Sequence, residues 1–189
     1  MGQTFIGIVG NNAQHSYNRQ LLQYMAVHYK NKVNIQLEEI AAFPLFSENL
    51  LGGPAPQCVT DLTTAIQQSD GVIIATPEYD HAIPAVLKSA IEWLSSATHP
   101  FNEKPVMIVG ASLGVQGTAR AQDNLHQILN SPGVNAFVLP GCEFLLNNAQ
   151  QKFDDQNNLI DTQTATFLDD CFNHFLQFAT DTKRNLPVG

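Results

Sequence analysis

Gly71-Val72-Ile73-Ile74-Ala75-Thr76-Pro77-Glu78-Tyr79-Asp80-His81-Ala82-Ile83-Pro84 is the stretch on which the architecture turns. Its first six residues form a continuous run without polar alternation, rich in isoleucine and valine. Such a run is a strand covered on both faces, as in parallel sheets. Pro77 ends it. Pro84 suits the first turn of a helix, where its missing N–H is harmless. That helix carries Val86, Leu87, Ala90, Ile91 and Leu94, with Trp93 beside the stripe. A covered strand passing through a loop into an amphipathic helix is half of a parallel crossover unit.

The same unit recurs on either side. Upstream, Thr4 to Val9 reads as a buried strand ending at Gly10, followed by a polar loop from Asn11 to His15. A helix then places Leu21, Leu22, Met25, Ala26 and Tyr29 on one face. Val33 to Leu37 alternates apolar and polar, which suits a second strand nearer the sheet edge. Residues 39–56 hold three prolines and two glycines and predict a long irregular connection of the kind that is usually functional or flexible. A second helix is expected over 57–68. Downstream, Pro105 to Val109 predicts a fourth strand, Gly110 to Gly117 a glycine-rich turn, and a helix then runs to Leu129 before Pro132-Gly133. Val134 to Leu139 predicts a fifth strand. Residues 140–160 read as polar and irregular apart from Phe144-Leu145-Leu146, and a last helix covers Thr162 to Thr180. Lys183 to Gly189 reads as a solvated tail. Five strand–helix units predict one α/β domain over 1–189. Its form is a three-layer αβα stack around a five-stranded parallel sheet of order 2-1-3-4-5, with right-handed crossovers.

Charge and composition narrow the function classes. Nine Lys+Arg against seventeen Asp+Glu leave a net charge of −8, with 44% hydrophobic and 14% charged residues. That balance is the reverse of a disordered chain. It also speaks against a nucleic-acid partner, which calls for a basic face. No apolar run approaches the ~18 residues of a membrane span. The first residues lack the basic start of a secretory signal. Cys58, Cys142 and Cys171 are odd in number and widely spaced, so neither a disulfide framework nor a CxxC site is expected. The six histidines form no HxH or HExxH pair, and no metal is expected. A cytoplasmic location is the expectation.

Open parallel sheets bind ligands beyond the carboxyl ends of their strands. Three loops lie there. The first, Gly10 to Asn18, leads straight into a helix, whose unpaired N–H groups and dipole suit a phosphate. Asn11, Ser16 and Asn18 could add hydrogen bonds, or Ser16 or Asn18 could simply cap the helix. Neither GxGxxG nor a P-loop is present. In the second loop, two prolines stiffen Thr76 to Pro84, and Tyr79 and His81 offer rings. A rigid wall for a planar ligand is the sharper reading, a stiffened turn the plainer one. The third, Gly110 to Thr118, has three glycines that allow close backbone approach before a helix N-terminus. Gly110-Ala111-Ser112-Leu113-Gly114 also matches the GxSxG nucleophile elbow. The partners for Ser112 would be His174 with Asp169 or Asp170, but these share one helix and no oxyanion segment is evident. A serine hydrolase is therefore the weakest reading.

Taken together, GNNAQHSYNRQLL (10–22), TPEYDHAIPAVLKSAIEW (76–93) and KPVMIVGASLGVQGTARAQDNLHQIL (104–129) resemble the NADPH-dependent FMN reductases, which include azoreductase-like, quinone-reductase-like and chromate-reductase-like members. The resemblance covers residues 4 to 140 and implies a flavodoxin-like fold. It further implies bound FMN, NADPH or NADH as co-substrate, and two-electron transfer to a quinone, azo compound, free flavin or similar small acceptor. A homodimer or homotetramer is implied too. By position, Asn11, His15, Ser16 and Asn18 would hold the FMN phosphate. Pro77, Glu78, Tyr79 and Asp80 would line the isoalloxazine, with Ser112, Gly114 and Gly117 as the opposite wall. No catalytic side chain is expected. The helix with Trp93 resembles the family's subunit-contact helix, and residues 39–56, with Phe43 and Phe46, would cover the site in a dimer. The fourth helix's N-terminus would face the charge the flavin gains on reduction.

The chain departs from the family at Asn11, where serine is usual, at Ala13, where arginine is common, and at Asp80, where asparagine is usual. Losing a cation near the phosphate removes a contact of ~1.5–3 kcal/mol, which His15 or Arg19 would partly restore. A carboxylate at Asp80 would oppose the reduced flavin. The alternative is a flavodoxin-like electron carrier or flavin-binding sensor without steady-state turnover. The acidic charge suits that reading, and the lack of a Thr-x-Thr-Gly-x-Thr type of first loop opposes it.

Overall fold

A computed structural model describes residues 2–185. In chain order the elements are β1 (Thr4–Val9), α1 (Tyr17–His28), β2 (Asn34–Glu39), α2 (Gln57–Gln68), β3 (Gly71–Ala75) and α3 (Ala85–Ala97). They continue with β4 (Pro105–Ala111), α4 (Ala119–Leu129), β5 (Phe137–Val138), β6 (Phe144–Leu146) and α5 (Thr162–Asn185). The strands pair in parallel in the order β2-β1-β3-β4-β5, with β6 also against β4. This is the order expected from the strand–helix pattern.

The two-residue period of the strands sorts the core into two layers. Phe5, Val9, Ile73, Met107 and Val109 face α1 and α5, where Leu22, Met25, Tyr29, Phe172 and Phe175 pack. Ile6, Ile8, Val72, Ile74 and Ile108 face α2, α3 and α4, where Val59, Leu62, Leu87, Ile91 and Leu125 pack. Each such fully buried side chain contributes about 1.5–3 kcal/mol of transfer free energy.

Four expectations need correction. The fifth lane of the sheet is not one strand over 134–139. Phe137 and Val138 pair with Pro105 and Val106, and β6 takes over farther along, from Val109↔Phe144 to Ala111↔Leu146. Pro140 has no N–H for the ladder, and Gly141 turns the chain at φ 74°. β2 runs on to Glu39 because its register against β1 continues to Val9. The final helix passes Thr180 and runs to Asn185, and the exposed Lys183 on it places its Nζ 2.9 Å from Asp70 Oδ1. The rest of the expected tail, from Leu186, lies outside the described residues.

The fourth correction concerns residues 39–56. Phe43 is buried, and Pro44 O accepts from Trp93 Nε1 at 2.9 Å and from Ser89 Oγ at 3.1 Å. The Phe46 N–H donates to Ser89 Oγ at 2.7 Å, and its ring meets Trp93 edge-on. Phe43 and Phe46 are thus fixed within the chain. Trp93, 2% exposed, anchors this segment through its indole N–H. Among the described residues no helix is long and apolar enough to cross a membrane. No group of three or more His, Cys, Asp or Glu there could hold a metal ion.

Candidate functional site

β1, β3 and β4 end on a common cavity of about 670 Å³, within the ~300–1,000 Å³ of small-molecule sites. The chain leaves β1 through Gly10, whose added Cβ would lie 2.5 Å from Ala75 O. Only glycine lets the two strand ends part so closely.

The first wall is a self-bonded loop. Asn11 is buried, donates from Nδ2 to Ser16 Oγ at 2.9 Å and accepts at Oδ1 from the Ala13 N–H at 3.3 Å. Ser16 is the N-cap of α1, its Oγ accepting from the Arg19 N–H at 3.2 Å. With two bonds accepted, the hydroxyl proton remains to be donated. The N–H groups of Tyr17 and Asn18 occupy the first turn of α1, where no intrahelical acceptor exists. Asn18, 2% exposed, is occupied on both sides of its amide: Nδ2 donates to Ala111 O and Oδ1 accepts from the Ala111 N–H, each at 2.9 Å. Its side chain ties α1 to the end of β4, and its main-chain N–H remains for an anion.

His15 is exposed at the rim of the cavity. Arg19 is engaged beside the cavity, not in its lining. Its Nε and Nη2 grip Glu39 Oε1 and Oε2 at 2.5 and 2.9 Å, and Nη1 donates to the carbonyls of Ala13 and Gln14, both at 3.0 Å. The guanidinium braces the loop.

The second wall is Pro77, Glu78 and Tyr79. Tyr79 and Ala82 exchange N–H···O bonds of 3.0 and 2.9 Å across Asp80 and His81, whose φ values are +49° and +64°. That is a two-residue type I′ turn. Asp tolerates the left-handed conformation, whereas His81 carries strain of about 1–2 kcal/mol. Asp80 sits exposed at the tip of this turn, one residue beyond the cavity-lining Tyr79.

Glu78 has a role the sequence did not disclose. Its Oε2 accepts from the N–H groups of Arg120 and Ala121 at 3.0 and 3.2 Å, and Oε1 lies 3.9 Å from Arg120 Nη1. The first turn of α4 is thus capped by a carboxylate from another loop. Two N–H groups of its first turn are thereby already matched.

The third wall is Ser112 to Gly117. Ser112 bonds to β6 and beyond, its N–H to Leu146 O and its carbonyl from the Ala149 N–H, both at 2.9 Å. Its hydroxyl donates to Gly117 O at 2.8 Å. Gly117 has φ +65°, and an added Cβ would lie 2.9 Å from Leu145 Cβ. A hydrolytic triad is not assembled. His174 Nδ1 lies 3.5 Å from Cys142 Sγ, and Asp169 bonds His28 and Tyr29, each at 2.9 Å.

Of the expected site residues, the fold gathers Asn11, His15, Ser16, Asn18, Pro77, Glu78, Tyr79, Ser112, Gly114 and Gly117 around the cavity and leaves out Asp80. Sequence reading passed over Tyr17, Leu113, Val115 and Gln116, which also line it. Leu113 and Val115 are 61% and 76% exposed and form an apolar lip. The available signal was two aliphatic residues inside a glycine-rich loop, where no core needs them. A donor-rich end beside apolar and π walls fits an anionic tail carrying a planar ring.

The profile of the NADPH-dependent FMN reductase family matches residues 4–151. The chain is 48% identical over 174 residues to the NADH:(hydroxy)cinnamate reductase subunit CrdA of Vibrio ruber, covering 92% of this chain and 86% of that one. It is 42% identical over 184 residues to the NADH-dependent flavin reductase subunit 2 of Lactobacillus johnsonii, covering 95% and 98%. Among solved structures, the flavoenzyme NAD(P)H:(acceptor) oxidoreductase FerB of Paracoccus denitrificans is similar with a TM-score of 0.86 at 26% identity, over 95% of this chain and 98% of that one. With the match running from β1 past all three walls of the cavity, the chain belongs to the NADPH-dependent FMN reductase family.

Proposed function

We propose that this chain holds FMN in the cavity and passes two electrons from a nicotinamide nucleotide to a small conjugated acceptor such as a quinone, azo compound or free flavin. The observation that carries the proposal is the division of the cavity. Unpaired donors of Ser16, Tyr17 and Asn18 lie at one end, and stiff or glycine-cleared walls at the other. FMN, when bound, supplies reversible two-electron chemistry that no side chain here offers. Asn11 and Ser16 would hold its phosphate in a preformed loop, with His15 at the rim. Pro77, Glu78 and Tyr79 would face Ser112, Gly114 and Gly117 across its ring. Asn18 and Glu78 act as positioning residues, clamping α1 to β4 and the Tyr79 loop to α4. No side chain is assigned as acid or base.

NADH is the preferred donor in this proposal. Both Vibrio and Lactobacillus relatives are named for NADH. The guanidiniums of Arg19 and Arg120, on the helices that follow the first and third loops, already have carboxylate partners in Glu39 and Glu78. Neither stands ready for the 2′-phosphate of NADPH. Leu113, Val115 and Tyr79 at the mouth are exposed apolar surface that a second copy would cover in a homodimer or homotetramer.

The test is spectroscopic and kinetic. The purified protein, soaked with FMN and desalted, should be yellow and bleach anaerobically on addition of NADH. It should then consume NADH steadily with a quinone, with a kcat/KM at least ~10-fold above that for NADPH. A colourless protein ends the proposal. Bleaching without turnover favours the electron-carrier reading.

A further inference from the structure

Behind the flavin cavity, and unused by the proposed chemistry, two of the three cysteines meet a histidine. Cys142 lies in the bend that leads into β6 and is partly exposed. Cys171 and His174 stand three residues apart on α5 and so share one helix face. Cys142 Sγ is 3.5 Å from His174 Nδ1. The Cys171 thiol, fully buried, has the Cys142 thiol as a close neighbour. Cys58 offers an internal contrast: it is also partly exposed, but its Sγ only approaches Ala42 O at 3.7 Å.

We propose that Cys142 and Cys171 form a peroxide-sensitive dithiol, with Cys142 the attacking sulfur, His174 its proton acceptor and Cys171 the resolving thiol. The chemistry balances with a hydroperoxide as the oxidant. The Cys142 proton passes to His174 Nδ1, and the thiolate attacks one peroxide oxygen. The O–O bond breaks, and the leaving hydroxide takes the proton back from His174, giving sulfenic acid and water. The Cys171 sulfur then attacks the sulfenic sulfur, the S–O bond breaks, and the hydroxide leaves as water with the Cys171 proton. A disulfide remains. Two thiols have lost two electrons, and hydrogen peroxide has become two waters.

The surroundings divide the labour. Burial, reinforced by the neighbouring Cys142, pushes the Cys171 thiol up to about 12, so it stays protonated and is a poor first attacker. Cys142 has solvent access and the imidazole. The three groups do not make a metal site, since no group of three or more such ligands among the described residues could hold an ion. The bridge would fasten the entry of β6 to α5, and β6 backs the third cavity wall through the Ser112–Leu146 bond.

The experiment treats the intact, flavin-loaded protein with about one equivalent of hydrogen peroxide, alkylates it, and maps the peptides. Free thiols should fall from three to one, with Cys142 joined to Cys171 within one chain and Cys58 alkylated. In Cys171→Ala, Cys142 should stop at a dimedone-reactive sulfenic acid. In His174→Gln, Cys142 should oxidise at least ~5-fold more slowly while Cys58 reacts unchanged. Three thiols surviving, Cys58 oxidising as fast as Cys142, or bridges only between chains would overturn the proposal. An unchanged rate in His174→Gln would overturn the role of His174. If Cys171→Ala fails to fold, the wild-type map alone decides.

Discussion

At the amino end of the sheet, Asp70 accepts from the Thr4 N–H at 2.8 Å and from Lys183 Nζ at 2.9 Å, while Lys104 Nζ donates to Ser69 O at 2.9 Å. Ser69 Oγ lies 2.8 and 3.1 Å from the carbonyls of Ile66 and Gly71. At the carboxyl end, Ser16, Tyr17 and Asn18 hold donors toward a cavity with no protein acceptor assigned to them, and the loops around them carry left-handed residues at Asp80, His81 and Gly117. Both ends are polar and partly buried. One end satisfies its groups within the chain and contributes to stability. The other leaves them for a ligand. Left-handed residues do not divide the two ends, since His99, Glu103 and Asn135 adopt that conformation at the first.

Three substitutions test that contrast, in falling order of effect. Gly117→Val forces a side chain onto φ +65° and against Leu145. It should weaken FMN binding at least ~100-fold, read by fluorescence titration, and cost about 1–3 kcal/mol in urea unfolding. Asp70→Asn should do the reverse, leaving FMN affinity unchanged and costing about 1 kcal/mol at neutral pH, given an exposed lysine partner.

The pH dependence of that second variant has a defined sign. Burial works to raise the Asp70 carboxyl, but the bonds from Lys183 and the Thr4 N–H prevail and hold it below its ordinary value. A lowered folded value means the stabilisation is complete above pH ~4 and disappears as pH falls through that lowered value. Urea melts of the two proteins should therefore converge as pH falls below the ordinary carboxylate value of about 4. The smallest effect is expected of His81→Gly. Relief of the left-handed strain, offset by the greater freedom of an unfolded glycine, should stabilise by about 0.5 kcal/mol with FMN affinity within ~2-fold.

Much of the fold was legible because short β-branched runs such as Val72 to Ala75, bounded by Gly71 and Pro77, read as covered strands, and the helix stripes between them call for crossovers. The fifth lane was not. Pro140 and Gly141 divide it, and Phe144-Leu145-Leu146, only three residues long, has no periodicity of its own. Its strand character comes from β4, which offers it a free edge. Within the site, the three loops were recognisable from their glycines, prolines and polar residues. The uses of particular side chains were not: Asn18 bonds a residue 93 positions away, Glu78 caps a helix 42 positions on, and Trp93 holds Pro44.

Strand order, layering and the end of the sheet that opens into a cavity all follow from the linear pattern of this chain, because periodicity and chain length restrict how parallel strands can be joined. Which donors point into that cavity and which are already satisfied was decided by folding. A hydrogen bond depends on distances of a few tenths of an ångström between groups far apart in the chain, and no local pattern records them.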